Sequence, residues 1–261
     1  MPSGWYMIRH ATPLLYTFEL VVAAAVGALV LVRWWRAGEA AAVGAYLVAA
    51  LYGTGIELLA QGSSARVIED ARLLGSIPLR FPLLPFVLGF FEAGVLLLVG
   101  FWILRAVLAR DAAAARLAAG VTLALLVVIV LGTLGTRAML AQDPQALRLT
   151  TRALGAPRAL LLLAGCWAVA IAWAAARREA RRGLVIWYLG VAAVAVCWYT
   201  PALVGGVRFA GTVRDGVRIA GDALEQLAVF YGFSVGFEAV GFYLPVYVLL
   251  DLLGLVPHGR G

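Results

Sequence analysis

The chain contains no lysine: all of its 21 basic residues are arginines, and the formal net charge over 261 residues is +7. Without lysine, no Schiff base with retinal or another carbonyl compound can form. The arginines lie almost entirely between apolar runs, which is typical of topology signals and headgroup anchors in membrane proteins. We therefore expect membrane lipids as partners and no nucleic acid.

Histidine and cysteine are also scarce, with two residues of each. His10 and His258 lie near the chain ends, so the interior of the chain offers no histidine pair for a haem, di-iron or zinc site. Cys166 and Cys197 fall inside apolar runs and form no C-x-x-C motif, so we interpret them as small core residues. The sequence therefore predicts neither a metal site nor another cofactor.

Charge is sparse and apolar residues dominate: 13% of the residues are charged and 64% are hydrophobic. Soluble domains have about 25% charged and roughly 45–50% apolar residues. The apolar runs are continuous and rich in Ala and Leu, which indicates helices and not alternating β-strands. We predict an all-α polytopic membrane protein, a single transmembrane domain of seven helices over residues 1–261. The seven windows are 12–32, 38–61, 81–104, 117–136, 159–176, 184–205 and 223–254.

Seven spans place the two termini on opposite sides of the membrane. The arginines divide almost equally between the two sides, so their density decides the orientation. The compact turns "RWWR" (33–36) and "RREARR" (177–182) follow span ends closely. Because positive charge near span ends favours the cytoplasm, we expect the N-terminus outside and these turns inside. The predicted location is the bacterial inner membrane.

Ionisable groups inside apolar spans are costly and mark function by default. Glu19 lies about two turns into the first span, and Glu57 lies about one turn before the end of the second. Glu92 lies about three turns into the third span, and Glu238 lies near the middle of the seventh. All four fall in the half of the membrane next to the N-terminus, whereas Asp251 lies near the opposite face. We predict that the four glutamates share one region.

Four buried carboxylates cannot all stay ionised without partners, because desolvation opposes each charge. The cations that we expect to face them are arginines at the loop edges, chiefly Arg80, before the third span, and Arg137, at the end of the fourth. We therefore expect a water-accessible cavity in which some of these acids are protonated or paired. The alternative is that each glutamate bonds to a neighbouring helix and only locks two spans together.

Aromatic residues are frequent around these acids. The stretch "FYGFSVGFEAVGFYLPVY" places Tyr231 and Phe242 at helical spacing from Glu238, and "CWYTP" places Trp198 and Tyr199 near the same side. Because a ring face attracts positive charge, aromatic rings beside a carboxylic acid can stabilise a carbocation. The alternative is that they are packing and interface residues. We predict that substrate contacts come from Phe91, Trp198, Tyr199, Tyr231 and Phe242.

Residues 50–100 contain a glutamate at the end of a span, a loop of about twenty residues and "GSIPLRFPLLP" leading into the next span. This arrangement resembles the integral-membrane carotenoid hydratases of the bisanhydrobacterioruberin and 1,2-hydratase type. The chain also resembles the small seven-helix terpene cyclases of meroterpenoid pathways, in which acids late in the second helix and in the last helix protonate the substrate. That resemblance implies this role for Glu57 and Glu238. Both resemblances imply metal-free proton donation to an isoprenoid.

Three functions remain open on the sequence alone. The first is an enzyme that hydrates or cyclises an apolar isoprenoid-like molecule, with Glu57, Glu92 and Glu238 as its catalytic carboxyl groups. The second is a non-catalytic subunit of a larger membrane complex, or a scaffold that binds pigment or lipid. The third is a proton-coupled transporter. The enzyme hypothesis predicts that Glu57 and Glu238 face one cavity, whereas separate helix seams favour the scaffold.

Overall fold

The computed structural model describes residues 5–143, 147–154, 156–214 and 217–257, and the side chains of these except 148, 213, 214, 217 and 218. His258 lies outside the described residues. Within them, seven helices are long and apolar enough to cross a membrane, so the predicted helical bundle is confirmed. They are α1 Leu15–Ala37, α2 Ala40–Gly62, α3 Leu83–Leu108, α4 Ala112–Gln142, α5 Pro157–Ala176, α6 Ala180–Val204 and α7 Ala223–Leu252.

Local signals end and begin these helices. Gly38 adopts φ 67° after α1, a left-handed conformation that glycine reaches without steric cost, and its N–H donates to the carbonyl of Trp34. Asp111 caps α4 by accepting the N–H groups of Ala113 and Ala114. Asp222 caps α7 in the same way, and its partner Glu225 completes a capping box. The two acids at the start of the last span are therefore capping residues.

Helix α3 is the central helix of the bundle. Its apolar window is 72% buried, whereas that of α5 is 17% buried. Small residues let α2 approach α3 closely: a Cβ added to Gly53 would overlap Ala93, and one added to Gly89 would lie 2.7 Å from the Cα of Thr54. Close approach at small residues is the usual way in which membrane helices pack. This contact holds Glu57 and Glu92 on neighbouring helices.

The connections on the N-terminal side of the bundle form a β-sheet that the sequence analysis did not predict. All of its strands lie at the same end of the bundle, because they precede α1, α3, α5 or α7. Five of them form an antiparallel sheet in the order β2-β5-β1-β6-β7, and β3 pairs with β4 in a small hairpin. The strands are β1 Trp5–Ala11, β2 Arg66–Ile68, β3 Arg72–Leu73, β4 Ile77–Pro78, β5 Arg148–Ala153, β6 Arg208–Arg214 and β7 Val217–Ala220.

The register of this sheet places four arginines on one face. Arg9 on β1 lies directly opposite Thr150 on β5 and opposite Arg208 on β6. Arg152, two residues after Thr150, lies opposite Arg66 on β2. Residues opposite each other, and residues two apart on a strand, share a face of a sheet. The sheet therefore presents four cations from four different strands to one side.

We expect Gly89→Ala to lower the free energy of unfolding by about 2 kcal/mol, because the new methyl group would push α3 away from the backbone of Thr54. Gly120→Ala is the matched control, since a Cβ at Gly120 meets nothing within 4 Å. Reversible unfolding in mixed micelles measures both variants. Equal stability of the two variants would contradict the close packing of α2 on α3.

Candidate functional site

The arginines on the sheet meet the carboxylates on the helices. Arg66 donates two hydrogen bonds to Glu92, at 2.9 and 3.0 Å, and a further one to Glu57. Arg9 donates to Glu19 at 3.0 Å, and its Nη1 lies 3.9 Å from Glu92. The four predicted acids are therefore brought together, with Arg152 beside Glu238 as described below.

The expectation about the partner cations is wrong. We expected Arg80 and Arg137 because they lie at the span ends, but the cations that meet the acids are Arg9, Arg66 and Arg152 on the strands. The reason is geometric: the sheet returns these strands over the end of the bundle. Arg9 and Arg66 thereby fold back onto Glu19 and Glu57, which lie ten and nine residues away in the sequence. Arg152 comes to Glu238 from a distant strand.

The cluster is buried, so its charges act on one another strongly. Burial alone would lower the pKa of Arg66, but Glu57 and Glu92 outweigh it and hold that pKa well above its usual value. Burial acts in the same way on Arg9, whose pKa is nevertheless raised, chiefly by Glu19. Both arginines therefore stay protonated, and they compensate the carboxylates that they contact.

Glu238 is bound less completely than the other acids. Nη2 of Arg152 lies 2.9 Å from its Oε2, but the same Nη2 donates hydrogen bonds to Oγ of Ser234 at 2.8 Å and to Sδ of Met7 at 3.2 Å. Oε2 of Glu238 is buried and has no hydrogen-bond partner in the described part of the chain. In contrast, both carboxylate oxygens of Glu57 and of Glu92 accept hydrogen bonds.

Two of the acids lie on π-helical segments inside longer helices. Glu92 is in the segment Gly89–Val95 of α3, and Glu238 is in the segment Ala228–Ala239 of α7. The similar stretches "GFFEAGV" and "GFEAVGF" coincide with or overlap these segments. A π-helical turn hydrogen-bonds over five residues and changes the direction of the side chains, and such turns occur frequently at functional sites.

A cavity of about 560 Å³ lies between the sheet and the helices. Its lining includes Glu57, Glu92 and Glu238, so the three predicted catalytic acids face one space. This volume is within the range of small-molecule sites. Three of the predicted aromatic residues and one further tyrosine also line it: Trp198, Tyr199, Phe242 and Tyr243.

Two of the predicted contact residues lie outside the cavity lining. Phe91 is fully buried and packs against Trp198, with ring centroids 5.2 Å apart. The hydroxyl of Tyr231 lies 2.9 Å from Oγ1 of Thr200 on α6. Phe91 therefore supports the ring of Trp198 from behind, and the position of Tyr231 does not support a substrate contact.

The acid at the opposite end of the bundle belongs to a separate structural contact. Asp251 on α7 accepts a hydrogen bond from the indole N–H of Trp173 at 2.7 Å and from Arg177 at 3.3 Å. Both partners lie at the end of α5 or just after it. This contact joins α5 to α7 on the side predicted to be cytoplasmic.

Sequence reasoning missed the arginines on the strands. Arg208 lines the cavity, and its guanidinium carbon lies 4.0 Å from the centroid of the Tyr199 ring. Arg152 lines it as well. The available signal was alternation: in "RLTTRA" the residues at 148, 150 and 152 are Arg, Thr and Arg, and they alternate with Leu149, Thr151 and Ala153, as in a strand with two different faces.

Among the described residues, no group of three or more His, Cys, Asp or Glu side chains could hold a metal ion. The chemical groups that the cavity offers are carboxylates, guanidinium groups, tyrosine hydroxyls and aromatic faces. Comparison with protein-family models, with curated proteins and with solved structures gave no match. The fold and composition define an integral membrane protein, a seven-helix bundle whose site lies at one end.

We expect Arg66→Gln to lower the free energy of unfolding by about 3 kcal/mol, because it would leave Glu57 and Glu92 facing each other without their shared cation. Arg72→Gln is the control, since Arg72 is exposed and its partner Asp70 remains in solvent. The measurement is unfolding of both purified variants at pH 7. An Arg66→Gln protein as stable as the control would show that the ion pairs do not hold sheet and helices together.

Proposed function

We propose that this protein is a membrane enzyme that transfers a proton, without a metal, to an isoprenoid-like lipid in the cavity between sheet and helices. The observation that carries this proposal is the convergence of three carboxylates, from α2, α3 and α7, on one cavity with aromatic walls. Acids that only stabilised contacts between helices would not need to line the same cavity. The resemblance to isoprenoid hydratases and cyclases supports the same chemistry.

Glu238 is the proton donor in this proposal. Hydrogen bonds stabilise the charged form of a carboxylate, and Glu57 and Glu92 receive them on all of their oxygens. Glu238 accepts no hydrogen bond from the described residues, although Arg152 lies beside it. We therefore assign the proton transfer to Glu238, whose carboxyl oxygens are not held by hydrogen bonds within the part of the chain that the structure describes.

The reaction balances without a co-reactant other than water. The carboxyl proton of Glu238 is added to one carbon of a carbon–carbon double bond, and the other carbon becomes a cation. Water then adds to the cation and returns a proton to the Glu238 carboxylate, which gives a tertiary alcohol. If a second double bond attacks instead, a ring forms and the final proton returns to Glu238. The catalyst is regenerated in both cases.

The walls of the cavity suit a transient cation. Trp198 and Phe242 present aromatic rings to the same space as Glu238. An aromatic face stabilises a positive charge by about 0.5–1 kcal/mol at exposed sites and by about 2 kcal/mol or more when water is excluded. Glu57 and Glu92 supply negative charge at fixed positions, because Arg66 holds both of them. These groups would lower the energy of the cation relative to that of the neutral alkene.

Two alternatives make different demands on the same structure. A scaffold that binds pigment or lipid would use the cavity but would need no proton transfer by Glu238. A transporter needs a polar path to both faces, whereas the acid described near the opposite face, Asp251, is bound to Trp173 and Arg177. We further propose a bacterial inner-membrane location with the sheet outside, on the basis of the basic turns.

We expect Glu238→Gln to abolish product formation, because an amide cannot donate the required proton. The test is expression in a host supplied with carotenoid and prenyl-quinone precursors, followed by mass spectrometry of the co-purified and extracted lipids. The wild-type chain should produce a hydrated or cyclised isoprenoid. Asp251→Asn is the matched control, a buried acid outside the cavity lining, and should retain the product.

The outcomes separate the proposed functions. Product from the wild type and from Asp251→Asn, but not from a folded Glu238→Gln protein, is the expected result. Product from Glu238→Gln at the wild-type level would remove Glu238 as the donor. If all three proteins bound an unmodified pigment or lipid equally, the enzyme hypothesis would be wrong and the scaffold hypothesis would be favoured.

A further inference from the structure

The positive charges that line the cavity exceed the negative ones. Five arginines face it, against the three glutamates Glu57, Glu92 and Glu238. Glu19, which pairs with Arg9 outside the lining, reduces the excess to one positive charge. The lining arginines are Arg9, Arg66, Arg152, Arg158 and Arg208. A low-dielectric site with excess charge of one sign favours a ligand of the opposite sign.

Arg208 contributes the excess positive charge inside the cavity. Arg9, Arg66 and Arg152 each have a carboxylate partner, whereas Arg208 forms no hydrogen bond or ion pair with the residues that the structure describes. Its guanidinium carbon lies over the ring of Tyr199 instead, 4.0 Å from the ring centroid. Stacking of this kind leaves the edge N–H donors of a guanidinium available for a ligand.

Burial lowers the pKa of Arg208, and the nearby charges act on it in both directions: Tyr199 and Glu92 raise it, whereas Arg9 and Arg152 lower it. Together these effects lower the pKa to about 10. The group is therefore still protonated at neutral pH, but its charge is poorly compensated. An anion bound at its edge would compensate this charge.

The exposed residues of the cavity lining are Leu59, Gly62 and Ser63 at the end of α2 and Arg158 in the first turn of α5, so we infer that the cavity opens between these two helices. Gly62 and Leu59 line it on one side, and Arg158 and Leu162 line it on the other. Arg158 is exposed and lies at this mouth, where it adds a second cation. Below the mouth, Tyr52 and Cys166 join the two helices through a contact of 3.5 Å. Tyr52 lies about 15 Å along α2 from Gly62.

We propose that the cavity binds an amphiphile with an anionic oxygen headgroup, a phosphate or a carboxylate, held at the edge of Arg208 while its apolar tail leaves between α2 and α5. Apolar residues of both helices line the mouth, which suits a tail in the membrane. This inference names the class of substrate for the proposed enzyme. Only the interpretation of the bound lipid as a substrate rests on the proposed function. Binding itself is measured without turnover.

We expect the wild-type chain to bind geranylgeranyl phosphate about tenfold more tightly than geranylgeraniol, because only the phosphate can satisfy Arg208. The measurement is equilibrium binding of both radiolabelled compounds to the full chain in uncharged nanodiscs, with empty nanodiscs subtracted. In Arg208→Gln the preference for the phosphate should disappear, while binding of the alcohol stays unchanged. The unchanged alcohol binding shows that the cavity is intact.

Three comparisons make this test decisive. Arg208→Lys keeps the charge and should keep part of the preference, and Arg182→Gln, at the opposite end of the bundle, should keep all of it. Glu238→Gln should keep the preference or increase it, because this change removes a negative charge from the lining, so that loss of catalysis and loss of binding are distinguishable. Equal binding of phosphate and alcohol by the wild type, or an intact preference in Arg208→Gln, would overturn the proposal. Competition by inorganic phosphate alone would assign the site to a free oxyanion and would overturn the amphiphile.

We expect Gly62→Trp to weaken binding of geranylgeranyl phosphate at least about tenfold, because the indole would fill the mouth between α2 and α5. A Cβ at Gly62 meets nothing within 4 Å, so the substitution fits the fold. Gly55→Trp is the matched control: Gly55 lies two turns earlier on the same face of α2, has the same free space and is outside the cavity lining. Equal loss in both variants would show that the lipid does not enter there.

Discussion

A carboxylate can stay charged inside an apolar bundle only where a cation or hydrogen-bond donors meet it. In this protein the cations come from outside the bundle, on the strands of a sheet that covers one end of it. Arg66 is the central one, because it contacts Glu57 from α2 and Glu92 from α3. The sheet and the helices therefore depend on each other, and the site exists only where they meet.

The cavity follows from the same arrangement. Arginine side chains extend from the sheet to acids that lie within the spans, and the cavity is lined by residues of both. The π-helical turns of α3 and α7 direct Glu92 and Glu238 into this space. The ion pairs compensate most of the charges in the cluster. The two side chains that are less well compensated are therefore the ones that we assign to the function. Glu238 lacks hydrogen bonds, and Arg208 lacks a carboxylate partner.

These two exceptions are consistent with one bound molecule. A lipid whose anionic headgroup lies at Arg208 would place the adjacent part of its chain in the same cavity as Glu238 and Trp198. The aromatic walls and the fixed carboxylates then act on that part of the chain, while the rest of the tail stays in the membrane. Headgroup binding by Arg208 and proton transfer by Glu238 use side chains that the packing of the helices does not require.

The sequence predicts the spans well, because hydropathy is a local property: each of the seven windows overlaps a helix. It also places the acids at one end, since a rise of about 1.5 Å per residue converts position into depth. The partner arginines could not be predicted in this way. Arg9 meets its neighbours through the pairing of β1 with β5, which lies more than a hundred residues away, and this register is not encoded locally.

The outcome for Tyr231 has a related cause. Its spacing from Glu238 predicts a shared face only if the helix is α-helical throughout, but the segment Ala228–Ala239 is π-helical. Hydrogen bonds over five residues change which positions share a face. Tyr231 therefore lies against Thr200 and not in the cavity.

The most direct test is a cryo-electron microscopy structure of the wild-type chain in nanodiscs with the lipid that co-purifies from its host. Our account predicts elongated density in the cavity, with one end at Arg208, a section beside Glu238 and a tail that leaves between α2 and α5. A cavity that holds only water, or a lipid that binds elsewhere on the bundle, would contradict the account.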